Sequence, residues 1–135
     1  MSAFGVLDIG STGANVHGQW LQVIAHNLAN ANTINDPEEE PFRQILLHAQ
    51  ESNDDGGIGE GVRSYQLVEW DADPVLTYDP DHPLANEEGY VARPAVDVAG
   101  QMSDLIVAQR GYQMNLQVIR SGEEAYQAAL RIGRQ

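Results

Sequence analysis

The chain has 135 residues and is 42% hydrophobic, enough for one ordinary domain with a modest core and too little for two. Twenty acidic residues stand against seven basic ones, all arginine, for a formal net charge of −13, so a nucleic-acid backbone or an anionic membrane would be repelled by most of the surface and neither is expected as a partner. There is no cysteine, which excludes thiolate catalysis, disulfides and thiolate metal sites, and no apolar run approaches the ~18 residues of a membrane span.

The first basic residue is Arg43, so the N-terminal stretch lacks the positive region of a cleaved secretion signal. This predicts a cytoplasmic protein or one exported by a route that reads no cleavable signal. From Ala3 to about Ala31 apolar residues recur at helical spacing: Leu7, Ala14, Leu21, Ile24 and Leu28 form one seam, widened by Val16, Trp20 and Val23. A single helix of about seven turns is expected, weak at its start because Gly10 and Gly13 each cost roughly 1 kcal/mol relative to Ala. It runs out in Asn27, Asn30 and Asn32, ahead of the Asp36-Pro37 break.

Residues 34–95 lose this periodicity and gather prolines, glycines and acids. The segments 61–70, 74–78 and 89–92 read as short strands, and 42–49 as a strand or short helix. The stretch 51–61, with Gly57, Gly59 and Gly61, reads as a mobile connector. The middle is thus a small β-rich insert, too small to be stable by itself.

From residue 96 onward, Val98, Met102, Leu105, Tyr112, Leu116, Ile119, Tyr126 and Leu130 keep a strict four-three spacing, broken by Gln109 and Glu123. About 35 residues of such a pattern, some 52 Å as a helix, point to a coiled coil or a helical assembly, with the two polar positions setting register, and otherwise to a long helix folded against a globular core. The fold class expected is mainly α: long terminal helices at 1–33 and 96–135 around the β-rich insert. Gly100, Gly111, Gly122 and Gly133 recur every eleven residues on nearly one face, a spacing that coincidence explains first and that would, as the sharper alternative, permit close approach of a neighbouring helix.

Chemistry finds little footing. Asp79, Asp81 and His82 suggest a metal loop, but alignment on a calcium hand puts Leu84 where the tight turn needs glycine and Tyr90 where a bidentate Glu is needed. Pro80 and Pro83 instead impose turn geometry on Asp79 and His82. The acidic neighbours Glu87/Glu88, Glu123/Glu124 and Asp54/Asp55 point in different directions on a strand or helix and are poorly disposed to share a proton. There is no G-x-S-x-G elbow, no lysine for a phosphate loop, and His17 and His26 fall on the first helix, where a surface or interface role is expected. No catalytic, cofactor or metal residue is assigned, and no enzyme is expected.

Two stretches carry a resemblance. "IAHNLANANT", with Asn27, Leu28, Ala29, Asn30 and Thr33, resembles the N-terminal motif of the bacterial flagellar rod and hook proteins. "YDPDHPLANEEGYVARPAVDV" is similar to the signature of the proximal rod branch of that family: tyrosine, Asp-Pro, His-Pro, acids, Gly-Tyr-Val, then an entry into the last helix, here carried by Asp79, Pro80, His82, Pro83, Gly89 and Tyr90. Arg110, Tyr112 and Asn115 resemble the family's Arg-x-Tyr-x-x-Asn segment, while Ala95, Asp97 and Gly111 depart from it.

The resemblance implies a structural subunit of the flagellar basal-body rod, the shaft that carries motor torque to the hook. It implies as partners further copies of the chain, other rod proteins, base and ring proteins of the basal body and the flagellar type III export apparatus. Leu21, Ile24, Asn27, Leu28, Asn30, Val98, Met102, Leu105, Arg110, Tyr112, Asn115, Leu116, Ile119, Tyr126 and Leu130 are the interface residues it implies. Residues 79–90 become a turn that aims the last helix, with Tyr90 and Val91 packing it down. The terminal segments are expected to be disordered in a dilute monomer and to fold on assembly. Arg110, Arg120, Arg131 and Arg134 are candidates for pairing between subunits. Other readings remain: the sister proximal rod protein, a monomeric acidic binding module with both ends protected, or a peptidoglycan-cleaving enzyme with two carboxylates at suitable separation.

Overall fold

The computed structural model describes residues 3–52 and 61–133. Helix α1 spans Ala3–Asn30, followed by strands β1 (Ile45–Glu51), β2 (Val62–Glu69), β3 (Val75–Tyr78) and β4 (Tyr90–Arg93), and helix α2 spans Val98–Ile132. The two helices take 28 and 35 residues, and the strands form two sheets of two strands each. Within the segment 42–49, whose pattern fits a strand or a short helix, a strand forms from Ile45 onward. The expected connector and the Asp54/Asp55 pair lie, but for Glu51, Ser52 and Gly61, outside the described residues.

The start of α2 has a local cause. Asp97 accepts a hydrogen bond from the Gly100 N–H at Oδ1 (3.1 Å), while its carbonyl receives the Gln101 N–H (2.9 Å). That makes Asp97 the N-cap, so the acid that departs from the family pattern satisfies one of the orphan amides of the first turn.

By contact the chain divides into two compact units, each drawing on both helices and on the insert: Met1–Leu21, His48–Gln66 and Ile106–Gln135 in one, Gln22–Leu47 and Leu67–Leu105 in the other. In the first, the early part of α1 runs antiparallel to the later part of α2, with Leu7 against Gly122, Gly10 against Ile119, Gly13 against Asn115 and His17 against Gly111. The Thr12 hydroxyl donates to the Ile9 carbonyl (2.9 Å) and accepts from the Val62 N–H (3.2 Å), fastening the start of β2 to the helix. Gly61, at φ +98°, closes over Thr12, where a β-carbon would overlap the hydroxyl.

In the second unit Ile24, Val91 and Ala92 are buried and Asn27 is 1% exposed. Asn27 Nδ2 donates to the Ile45 carbonyl (2.8 Å) and to Gln101 Oε1 (2.9 Å), and its Oδ1 accepts from the Ile45 N–H (2.9 Å). One side chain therefore joins α1, β1 and α2. Strands β3 and β4 pair antiparallel from Val75 opposite Arg93 to Tyr78 opposite Tyr90, and Asn35 bridges Ala92 on the other edge of β4. The terminal segments, expected to order only on assembly, are here paired helices tied to the insert through Thr12 and Asn27.

Candidate assembly interface

The helix pair is built on glycine. A β-carbon at Gly13 would lie 2.7 Å from Asn115 Oδ1, one at Gly10 3.0 Å from Ile119 Cγ1, and one at Gly122 3.0 Å from Leu7 Cδ2. At Gly111 it would overlap the His17 ring outright. Missing side chains on both helices thus admit bulk from the other, which brings the backbones close. Two of the eleven-spaced glycines, Gly111 and Gly122, face the chain's own α1, Gly100 meets the Asp97 carboxylate of the helix cap, and Gly133 meets only its own helix. His17 Nδ1 lies 2.8 Å from the Gly13 carbonyl, and Asn115 donates to the Gly111 carbonyl (2.9 Å), so both polar side chains in this seam are satisfied by backbone.

This contact face is not the apolar seam expected from spacing. Gln101 and Ala108 on α2 are buried, whereas Val98 and Met102 are 46% and 51% exposed and Leu130 is 51% exposed. The face turned to α1 runs one residue earlier along the helix, and one residue is about 100° of rotation. Leu105, Leu116 and Ile119 are half-buried, while Arg110, Gln109, Tyr112, Glu123 and Tyr126 are exposed in the single chain. On α1, Leu21 and Leu28 are half-buried, and Asn30 donates to the carbonyl of His26. Ile24 and Asn27 are spent inside the chain, as are His17 and, in part, Asn115.

On the other flank of α2, Val107, Met114, Val118, Ser121, Ala125 and Ile132 are all exposed. With Gly111 and Ala128 between them they complete a second four-three row, with Val107, Met114, Val118 and Ile132 exposed by 55%, 69%, 46% and 78%. Val6, Gln117, Val118, Ser121, Gly122 and Ala125 line a shallow, largely apolar groove of about 380 Å³ on it. The signal for this row was present in the spacing, but its glycine, serine and alanines hid it behind the bulkier seam.

The signature loop closes on itself. Asp79 N–H donates to the Gly89 carbonyl (2.9 Å), His82 N–H to the Asp79 carbonyl (3.2 Å), and Leu84 N–H to His82 Nδ1 (3.1 Å). Asn86 is the hub: its Oδ1 accepts from Glu88 N–H (3.1 Å) and Tyr90 N–H (2.9 Å), while its own N–H donates to the Tyr90 carbonyl. Asn-Glu-Glu-Gly is itself a turn signal, since asparagine bonds its own backbone ahead and glycine supplies the positive φ. Gly89, at φ +82°, packs under the Tyr78 ring and Pro80. Of the two residues expected to pack the turn down, Val91 is fully buried but Tyr90 is 37% exposed, because its ring meets Tyr78 edge-on at 5.3 Å instead of entering the core. Among the described residues no group of three His, Asp or Glu side chains is placed to hold a metal ion.

Residues 87–132, from the end of this loop through α2, match the family described as flagellar basal body rod FlgEFG protein C-terminal. Over 133 residues the chain is 33% identical to the flagellar basal-body rod protein FlgC of Escherichia coli O157:H7 and 34% identical to that of Yersinia enterocolitica, covering 98% of this chain and 99% of each relative. The chain belongs to the FlgC family of flagellar basal-body rod proteins. FlgC of Bacillus subtilis (strain 168) is 30% identical over 150 residues, covering 99% of this chain and all of the relative. FlgC-family membership makes this a structural rod protein of the basal body that assembles with other rod proteins. The closed loop, the Asp97 cap and the α1–α2 glycine seam are how this FlgC-family chain presents its helices.

Proposed function

We propose that this chain is a non-catalytic subunit of the proximal rod, exported by the flagellar type III apparatus without a cleaved signal and assembled in the periplasm. It polymerises with further copies, with other rod proteins and with base and ring proteins, and the finished shaft carries torque to the hook. In this reading residues 1–33 and 96–135 assemble, and 34–95 form the insert.

The observation that carries the reading is the apolar surface left over once α1 and α2 have paired. Val98, Met102 and Leu130 remain about half exposed, and Tyr112, on the same four-three row, is 36% exposed. Covering such a side chain fully is worth roughly 1.5–3 kcal/mol, a gain that a neighbouring subunit supplies and a lone chain forgoes. The inter-subunit set is then Val98, Met102, Arg110, Tyr112, Leu116, Tyr126 and Leu130, with Leu21, Ile24, Asn27, Leu28, Asn30, Leu105, Asn115 and Ile119 shaping the helices behind them. The turn Asp79–Tyr90 aims α2. Deleting the gene should abolish swimming, the wild-type gene should restore it, and the chain should be found in purified basal bodies. Motility that survives deletion would overturn the reading.

A further inference from the structure

Next to the signature turn, the sheet of β3 and β4 presents an uncovered aromatic face. Leu76 and Tyr78 alternate onto one side of β3, and Tyr90 joins them from β4, directly opposite Tyr78. Leu76 is 56% and Tyr78 64% exposed, and Leu84 in the turn is exposed as well. The face is held in shape from within the same loop: the Tyr78 ring packs one edge on Gly89 and Pro80 and meets the Tyr90 ring at 5.3 Å, while Asn86 Oδ1 accepts the Tyr90 N–H (2.9 Å). Pro74 and Pro80 flank the four residues of β3, so its edge is too short to pair with an added strand, and its side chains are what a partner can use.

We infer that this face is a docking site for an arginine-bearing segment of a different protein. From Glu69 to Ala92 the chain has seven acids and no arginine, and Asp81, Glu87 and Glu88 are exposed on the turn beside the tyrosines. An aromatic pair with an aliphatic neighbour and carboxylates at its rim matches arginine part by part: the stem lies along Leu76, the guanidinium stacks on a tyrosine ring, and its N–H groups reach a carboxylate. A purely apolar partner would strip water from the carboxylates and return no cation. A second copy fits poorly, because residues 34–97 carry sixteen acids against three arginines and the helical segments four acids against four arginines, so neither supplies an excess of arginine. The face is small, and the contact is accordingly weak, one that adds to others rather than holding alone. It uses none of the helix surface and is independent of the rod-subunit reading.

Chemical-shift mapping on the isotope-labelled full-length chain tests this with a synthetic peptide of alternating arginine and valine, set against the same peptide with neutral citrulline in place of arginine. Circular dichroism verifies the fold of each variant. At low salt the arginine peptide should move the amides of Leu76, Tyr78 and Tyr90 first, and the citrulline peptide should leave them in place. Leu76→Ser and Tyr78→Ser should each weaken binding about two- to fivefold. Glu87→Gln with Glu88→Gln should weaken it more than Glu38→Gln with Glu39→Gln, which removes the same charge from exposed acids elsewhere in the insert. Shifts spread alike over the acids of residues 34–97, equal losses in the two charge variants, or a folded Leu76→Ser chain that binds like wild type would overturn the inference. Movement of the same amides with the chain's own concentration, before any peptide is added, would assign the face to a second copy and overturn it equally. Swimming of the deletion strain complemented with the wild-type gene reports separately on the rod reading, so either can fail without the other.

Discussion

The imidazole of His17 lies over Gly111, in the space a β-carbon at that position would occupy. Gly111→Ala should therefore destabilise the chain by about 1–2 kcal/mol, the overpacking penalty exceeding the roughly 1 kcal/mol that alanine gains over glycine in a helix interior. The sign should reverse once the ring is gone: in a His17→Ala background the same substitution should stabilise. A double-mutant cycle from urea unfolding measures both, and equal effects of Gly111→Ala in the two backgrounds would show that the ring does not fill this slot.

Asn27→Ala should be more damaging than any surface change. It strands the Ile45 N–H and carbonyl and the Gln101 amide in a site where Asn27 is 1% exposed, at a cost of about 2 kcal/mol or more. Hydrogen exchange checks this directly: the Ile45 amide should be protected in the dilute wild-type chain and exchange rapidly in the variant. An unprotected Ile45 amide in wild type would instead support terminal helices that order only on assembly.

At the signature turn, Gly89→Ala adds a β-carbon 3.0 Å from Tyr78 Cε2 and 3.1 Å from Pro80 Cβ on a backbone at φ +82°. Strain of about 1–2 kcal/mol is expected, released by opening the turn rather than the whole fold. Faster exchange of the Thr77 and Val91 amides, with that of α2 unchanged, is the signature to look for.

Arg43 makes a 2.8 Å ion pair with Asp71 and a 3.6 Å one with Glu40, yet both acids are 89% exposed. Arg43→Ala should cost under about 1 kcal/mol despite the good geometry, because solvent screens the pair. Thermal unfolding indistinguishable from wild type within that margin is the expected outcome.

Salt should strengthen self-association. With the negative charge concentrated in residues 34–97 and the helices neutral, adding sodium chloride screens insert-to-insert repulsion and leaves the apolar contact intact. Sedimentation at low and high ionic strength reads the sign, and association that weakens with salt would mean that charged groups hold the copies together.

Both helices and strands β2, β3 and β4 were legible in the sequence to within a few residues, because periods of 3.6 and 2 are set by backbone geometry and show wherever one face is buried, whereas the segment of β1 read equally as a strand or a short helix. The signature turn was legible as a turn for the same local reason, Pro80, Pro83 and Gly89 each restricting or freeing their own dihedral angles. Which face of α2 meets α1 was not legible. Spacing marks where large apolar side chains fall, whereas the helix contact formed where they are missing, at Gly10, Gly13, Gly111 and Gly122, since close backbone approach needs absent β-carbons opposite His17, Leu7 and Ile119. Nor could spacing assign Asn27 to three elements at once, because its partners Ile45 and Gln101 lie 18 and 74 residues away and only the folded chain brings them within hydrogen-bond reach.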